Sequence, residues 1–111
     1  MSGDICRQFN TQITNFHEEL EKLNIESRII RNSKTKLNLL KTANFKKVIQ
    51  IYLNEVYIFK KHIDNRNIQF FKDLEDDNEL FIYIKNYWEN FTTNTQKNIW
   101  LYFDVLNKIC E

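Results

Sequence analysis

The sequence predicts an all-α fold, a compact bundle of about five helices in a single domain, 1–111. Three observations carry that expectation. Apolar residues recur at helical spacing along most of the chain. Proline is absent and glycine occurs once, so few breakers interrupt the pattern. The composition, 42% hydrophobic and 14% aromatic, supplies enough apolar surface to offset the entropy of ordering the chain.

Ile5, Phe9, Ile13, Phe16, Leu20 and Leu23 share one helical face and predict a first helix over about 4–24. Asp4 sits where an acid suits the N-terminal dipole, and Glu18 with Lys22 forms an i,i+4 pair. A single stripe of this kind belongs to a helix on the outside of a bundle. Ile25, Ile29, Ile30, Leu37, Leu40 and Ala43 predict a second helix over about 26–43. Residues Arg31 to Lys36 contain no apolar side chain, which suggests a break or bend there. Phe45, Val48, Ile49, Tyr52, Val56, Phe59 and Ile63 predict a third helix, with Asn44 as its N-cap and Lys60, Lys61 and His62 in its last turns.

Asp64 to Asn67 reads as a turn. Ile68, Phe70, Phe71 and Leu74 then form a short apolar island over about 68–72, one helical turn packed on the bundle. A fourth helix is expected to start near Asp76 or Asp77 and to run to about Asn90. Leu80 to Ile84 has a strand-like composition, but Leu80, Ile84, Tyr87, Trp88 and Phe91 continue the helical spacing and decide for a helix. Thr93-Asn-Thr-Gln96 matches a capping box and opens a fifth helix over about 94–110. Ile99, Phe103, Leu106 and Cys110 lie on one side of it, Trp100 and Tyr102 flank that side, and Leu101 and Val105 extend the apolar arc. So broad an arc predicts the central helix of the bundle, either covered wholly by its neighbours or completed by a partner or second copy.

The net charge of +1 gives no whole-chain signal for a polyanion. Arginine, the planar fork suited to phosphates and base edges, occurs only 4 times against 12 lysines. Asn (15), Ile (14) and Lys (12) are enriched while Gly and Ala occur once each, a pattern that AT-rich coding explains without selection on function. One local feature still points to charge-driven binding. Arg28, Arg31, Lys34, Lys36, Lys41, Lys46 and Lys47 lie in a stretch without an acid, a polyanion-binding surface if they converge on one face.

No motif for nucleophilic catalysis, metal ligation or phosphate cradling occurs, and His17 and His62 stand apart. The expectation is a non-enzymatic protein with no cofactor and no metal. His17 and Glu21, one turn apart, offer at most two ligands and read as a solvated histidine beside an acid. The carboxylates of 73–79 lack the glycine of a calcium loop and read as an acidic helix start. Cys6 and Cys110 read as buried thiols rather than a disulfide framework. The Asn90-Phe91-Thr92 sequon is expected by chance in so Asn-rich a chain. The start lacks a signal-peptide layout and the longest apolar run, Leu80 to Ile84, is far too short to span a bilayer. No membrane insertion and a reducing, cytoplasmic setting are expected.

The Phe9…Phe16…Leu20 helix, the Phe70-Phe71 pair, and Trp88 ahead of the capped helix Asn98-Ile-Trp-Leu-Tyr-Phe-Asp-Val-Leu106 give the chain a layout that resembles small helical proteins of nucleocytoplasmic large DNA viruses. The resemblance touches most of the chain through core-type aromatics. It implies a viral protein made in the host cytoplasm, carried in virions or acting on host proteins, and brings no active site with it. Together with the residues, it favours a protein-interaction or structural module, working through a protein partner or self-association at Trp100, Leu101, Tyr102 and Val105. The alternative is a nucleic-acid-binding accessory protein using the basic 28–47 segment.

Overall fold

A computed structural model describes residues 2–23, 28–75 and 78–111. In chain order the helices are α1 (Gly3–Glu21), α2 (Arg28–Ala43), α3 (Lys47–Glu55), α4 (Lys60–Asp64), α5 (Ile68–Asp73), α6 (Glu79–Tyr87) and α7 (Thr93–Cys110), with 3-10 turns at Tyr57–Phe59 and Trp88–Asn90. Among the described residues there is no strand, so the all-α expectation holds, but the helices are more numerous than expected. None is long and apolar enough to cross a membrane.

Local chemistry explains most of the boundaries. Ser2 Oγ accepts from the Ile5 amide and caps α1. Helix α2 runs unbroken through 31–36, against the expected bend. Ser33 sits on its inner face there and bonds the His17 ring, so a polar residue takes the place the apolar pattern left empty. The expected start of the second helix at residue 26 lies outside the described residues, as do Asp76 and Asp77. Asn78, not one of those acids, caps α6, its Oδ1 accepting from the amides of Leu80 and Phe81.

The expected third helix is two helices. α3 begins at Lys47, without a side-chain cap at Lys46, and ends at Val56 (φ −120°, ψ −49°). From Tyr52 to Phe59 the chain is rich in β-branched and aromatic residues, which are weak helix formers and surround the helix with apolar side chains. Turning at Val56 buries that residue and carries the Phe59 ring to within 5.4 Å of Phe70, at the expense of leaving Ile58 exposed. The apolar island becomes α5, capped by Asn67 Oδ1 on the Phe70 amide. α7 starts one residue earlier than the capping-box reading. Thr92 is the cap, its Oγ1 accepting from the Thr95 amide at 3.1 Å, while Gln96 Nε2 donates to the Trp88 carbonyl.

The first helix does not take the outside place expected of it, and the last helix is not covered all round. α1 packs against α2, α3 and α7, whereas α7 packs chiefly on α1 and α4. α1 and α2 thus each meet three neighbouring helices, while α7 also reaches α5 and α6 through Trp100 and Phe103 and leaves Leu101 and Val105 exposed. The buried side of α1 includes two polar residues, Asn10 and His17, that the apolar stripe did not count. Around this axis the core divides. On the α7 side is a nearly continuous chain of rings, with Phe16 on Phe103, Phe103 on Phe81, Phe81 on Phe71, and Trp88 on Trp100 at centroid distances of 5.2–6.1 Å. On the α2–α3 side, aliphatic side chains pack less completely around a cleft.

Candidate functional site

The basic segment does not form one surface. Lys34 Nζ lies 3.4 Å from Glu21 and Lys41 Nζ 2.7 Å from Thr14 Oγ1, both on the flank of α2 that meets α1. Lys36 pairs with Glu79 on the opposite flank, toward α6. Arg28 and Arg31 are exposed at the start of α2. Lys46 lies over the Phe45 ring in the α2–α3 connection, and Lys47 is exposed at the start of α3. Three of the seven cations are thus held by side chains of neighbouring helices, and the helix that carries most of them separates the rest.

The four interface residues expected on the last helix divide cleanly. Leu101 is 45% and Val105 42% exposed, one turn apart on the outer face of α7. Lys97 and Lys108 continue the same face at either end; both are exposed, and neither side chain makes an ion pair among the described residues. Trp100 turns inward to Trp88, with the Arg66 guanidinium 5.7 Å from its ring. Tyr102 stacks on Phe16 with parallel rings 4.8 Å apart, and burial pushes its phenol up in pKa. Asp104, between the exposed face and Trp100, is taken by Arg66 in a two-pronged pair at 2.8 and 2.6 Å. Arg66 holds a left-handed backbone (φ 54°), a cost for a side chain with a Cβ that this ion pair and the Trp100 contact help to offset.

His17 is buried, not solvated. Its Nδ1 lies 2.9 Å from the Ile13 carbonyl and its Nε2 2.8 Å from Ser33 Oγ. A carbonyl only accepts, so Nδ1 carries the proton, and the Ser33 hydroxyl donates to Nε2. Burial holds the imidazole below its ordinary pKa and keeps it neutral, the largest of its influences. Both nitrogens are occupied, and Glu21 faces Lys34, so the two do not make a metal pair. Among the described residues no group of three or more metal-ligating side chains forms. Both thiols are free, Cys6 fully buried and Cys110 partly so, with burial raising the Cys110 thiol to about 11.

No family model matches the chain, and neither curated proteins nor solved structures give a match. The geometry is therefore the ground for assigning a function.

The sequence reading missed a cleft of about 340 Å³ between α1, α2, α3 and the start of α6. His17 and Ser33 lie at one part of its wall, and Lys36, Glu55, Asn78 and Glu79 bring charge and polarity to it. Its residues come from four helices, so no local spacing announces it. The one sequence signal was Ser33 on the inner face of α2 opposite a histidine.

Proposed function

We propose that the protein is a non-enzymatic interaction module whose outer α7 face receives an amphipathic helix of another protein. The observation behind this reading is the exposed pair Leu101 and Val105, set between two cations, Lys97 and Lys108. An apolar centre with a charged rim is the usual anatomy of a recognition surface. The charges choose the partner. Pairing two copies of α7 about a two-fold axis sets Lys97 against Lys108 of the second copy when antiparallel, and Lys97 against Lys97 when parallel. Either arrangement places like charges together, which disfavours self-association. A helix with an apolar stripe bounded by Glu or Asp meets the same face without that penalty. On the resemblance to viral proteins, such a partner is a host or virion protein. The dispersal of the basic side chains over two flanks of α2 weighs against the nucleic-acid alternative.

Selection from a displayed library of helical peptides tests this reading. Enriched peptides should carry apolar residues one turn apart with acids outside them, lose binding to a Leu101→Glu/Val105→Glu protein, and bind more weakly as salt rises. Enrichment of peptides that bind the double variant equally well would overturn it. So would a dimer in light scattering that the double variant dissociates.

A further inference from the structure

We infer that the cleft between α1, α2 and α3 binds a small amphipathic amine, with an apolar chain or ring against its walls and an ammonium head at the Glu79 and Glu55 carboxylates. The walls are apolar: Phe9 and Ile13 from α1, Leu37 and Leu40 from α2, Ile51 from α3 and Leu80 from α6. At about 340 Å³ the space lies within the range of small-molecule sites. No residue of α7 lines it, so it is separate from the face discussed above.

The polar groups select the ligand's head. Glu79 Oε1 accepts from Lys36, but Glu79 Oε2 is buried with no hydrogen-bond partner among the described residues. A buried acceptor left in this state costs free energy that a donor restores. Glu55 Oε2 accepts 3.0 Å from Asn78 Nδ2, and the Asn78 carbonyl oxygen is spent on the α6 cap. Ser33 gives its proton to neutral His17 and so presents only lone pairs. The cleft thus offers acceptors at Glu79, Glu55 and Ser33. Among the described residues its one cation, Lys36, is already engaged with Glu79. Two carboxylates against one ammonium leave a net negative charge. An incoming ammonium adds a second cation and satisfies Glu79, whereas a carboxylate meets two others and must break the ion pair.

The test compares n-octylamine, octanoate and 1-octanol on the full chain by calorimetry and amide chemical shifts. Octylamine should saturate one site and shift the amides of Leu37, Leu40, Ile51 and Glu79 while leaving Leu101 and Val105 unmoved. Octanoate and octanol should bind at least about tenfold more weakly, and Glu79→Gln should weaken octylamine by about tenfold, the range of one charge-assisted hydrogen bond. Ile51→Trp, at a half-buried wall position, should fill the space and abolish binding with the helical circular dichroism retained. Equal binding of octanoate or octanol would overturn the head-group assignment, as would unchanged binding to Glu79→Gln. Saturable shifts that map elsewhere, or no saturation by octylamine, would overturn the site.

Discussion

Helices α1 and α7 have nearly the same length, 19 and 18 residues, yet the one with the narrower apolar stripe is buried more. α1 buries seven residues, including Asn10 and His17; α7 buries four and leaves Leu101 and Val105 to solvent. The polar groups do not make the difference, because each helix buries an asparagine that is half satisfied. Asn10 Nδ2 donates to the Phe45 carbonyl and Asn107 Oδ1 accepts from Tyr52, while Asn10 Oδ1 and Asn107 Nδ2 have no partner among the described residues. α7 meets α1 and α4 and, through Trp100 and Phe103, the rings of Phe71 and Phe81, yet its apolar arc extends past these neighbours to Leu101 and Val105. Apolar width measures what a helix can bury; burial itself depends on how much of that arc its neighbours reach.

The strongest test of that contrast is truncation on the inner faces. Phe16 is in face-to-face contact with Tyr102 and edge-on to Phe103, and Phe9 meets Tyr52 edge-on at 4.9 Å. Phe16→Ala and Phe9→Ala should each cost about 3–5 kcal/mol in urea unfolding, and Leu106→Ala on the inner side of α7 about 2–5 kcal/mol. Losses below about 1 kcal/mol at both α1 sites would remove α1 from the centre of the fold.

The polar inside of α1 makes a second test, in pH. Burial lowers the pKa of His17 from the ordinary value of 6.5, so the native state resists a proton that the unfolded chain accepts. This contribution is fully present above 6.5 and is lost as pH falls below it, toward the lowered native value. Urea midpoints should therefore fall between about pH 7.5 and 5 more steeply in the natural chain than in His17→Gln, which lacks the titrating group. Parallel midpoint curves for the two proteins would contradict the buried neutral imidazole.

The fold class was legible because periodicity reports which residues share a face. Phe9, Ile13, Phe16 and Leu20 were all read as one stripe and are all buried. The α3–α4 break was not legible: no proline or glycine marks Val56, and the turn is set by packing of Phe59 against Phe70 and Phe71. The charged pairs were hidden for the same reason. Lys36 reaches Glu79 across 43 positions and Arg66 reaches Asp104 across 38, so the basic run looked continuous in sequence while its side chains were being divided in space. Leu101 and Val105 were named, but their exposure depended on which neighbours α7 has, which its own sequence does not state.

Capping offers a smaller comparison between the same two helices. Thr92 caps α7 in the interior of the chain, where the preceding 3-10 turn is anchored by Gln96 on the Trp88 carbonyl. Ser2 caps α1 through one exposed bond, its Oγ accepting from the Ile5 amide at 3.2 Å. Thr92→Ala should cost about 1 kcal/mol, because the Thr95 amide loses its acceptor within a structured turn. Ser2→Ala should cost less, because its one exposed bond to the Ile5 amide is readily replaced by water, whereas Thr92 Oγ1 also bonds Thr95 Oγ1. Equal losses in paired urea titrations would show the start of α1 to be as firmly held as that of α7.

The smallest effect belongs to the outer face of α7 and separates a bare surface from a covered one. Leu101 and Val105 have no helix over them among the described residues, so Leu101→Ala and Val105→Ala remove little buried area and should each shift stability by less than about 0.5 kcal/mol. Alanine is also the best helix former, and at Val105 it relieves the β-branched penalty, so that substitution should be neutral or slightly stabilising. If a second copy covers this face, the same substitutions act through association. Stability would then rise with protein concentration in the natural chain, and the variants would lose that dependence. The Lys97 and Lys108 charges argue for the first outcome: urea midpoints that do not move over a hundredfold range of concentration, about the span a monomer–dimer equilibrium would reveal. Removing the repulsion then provides the complement. Lys108→Glu places an acid opposite Lys97 in an antiparallel pair, so it should promote self-association that the natural face resists, read as a rise in solution mass at high concentration and low salt. A natural chain that already dimerises there, with Lys108→Glu no tighter, would mean that the two lysines do not govern what α7 accepts.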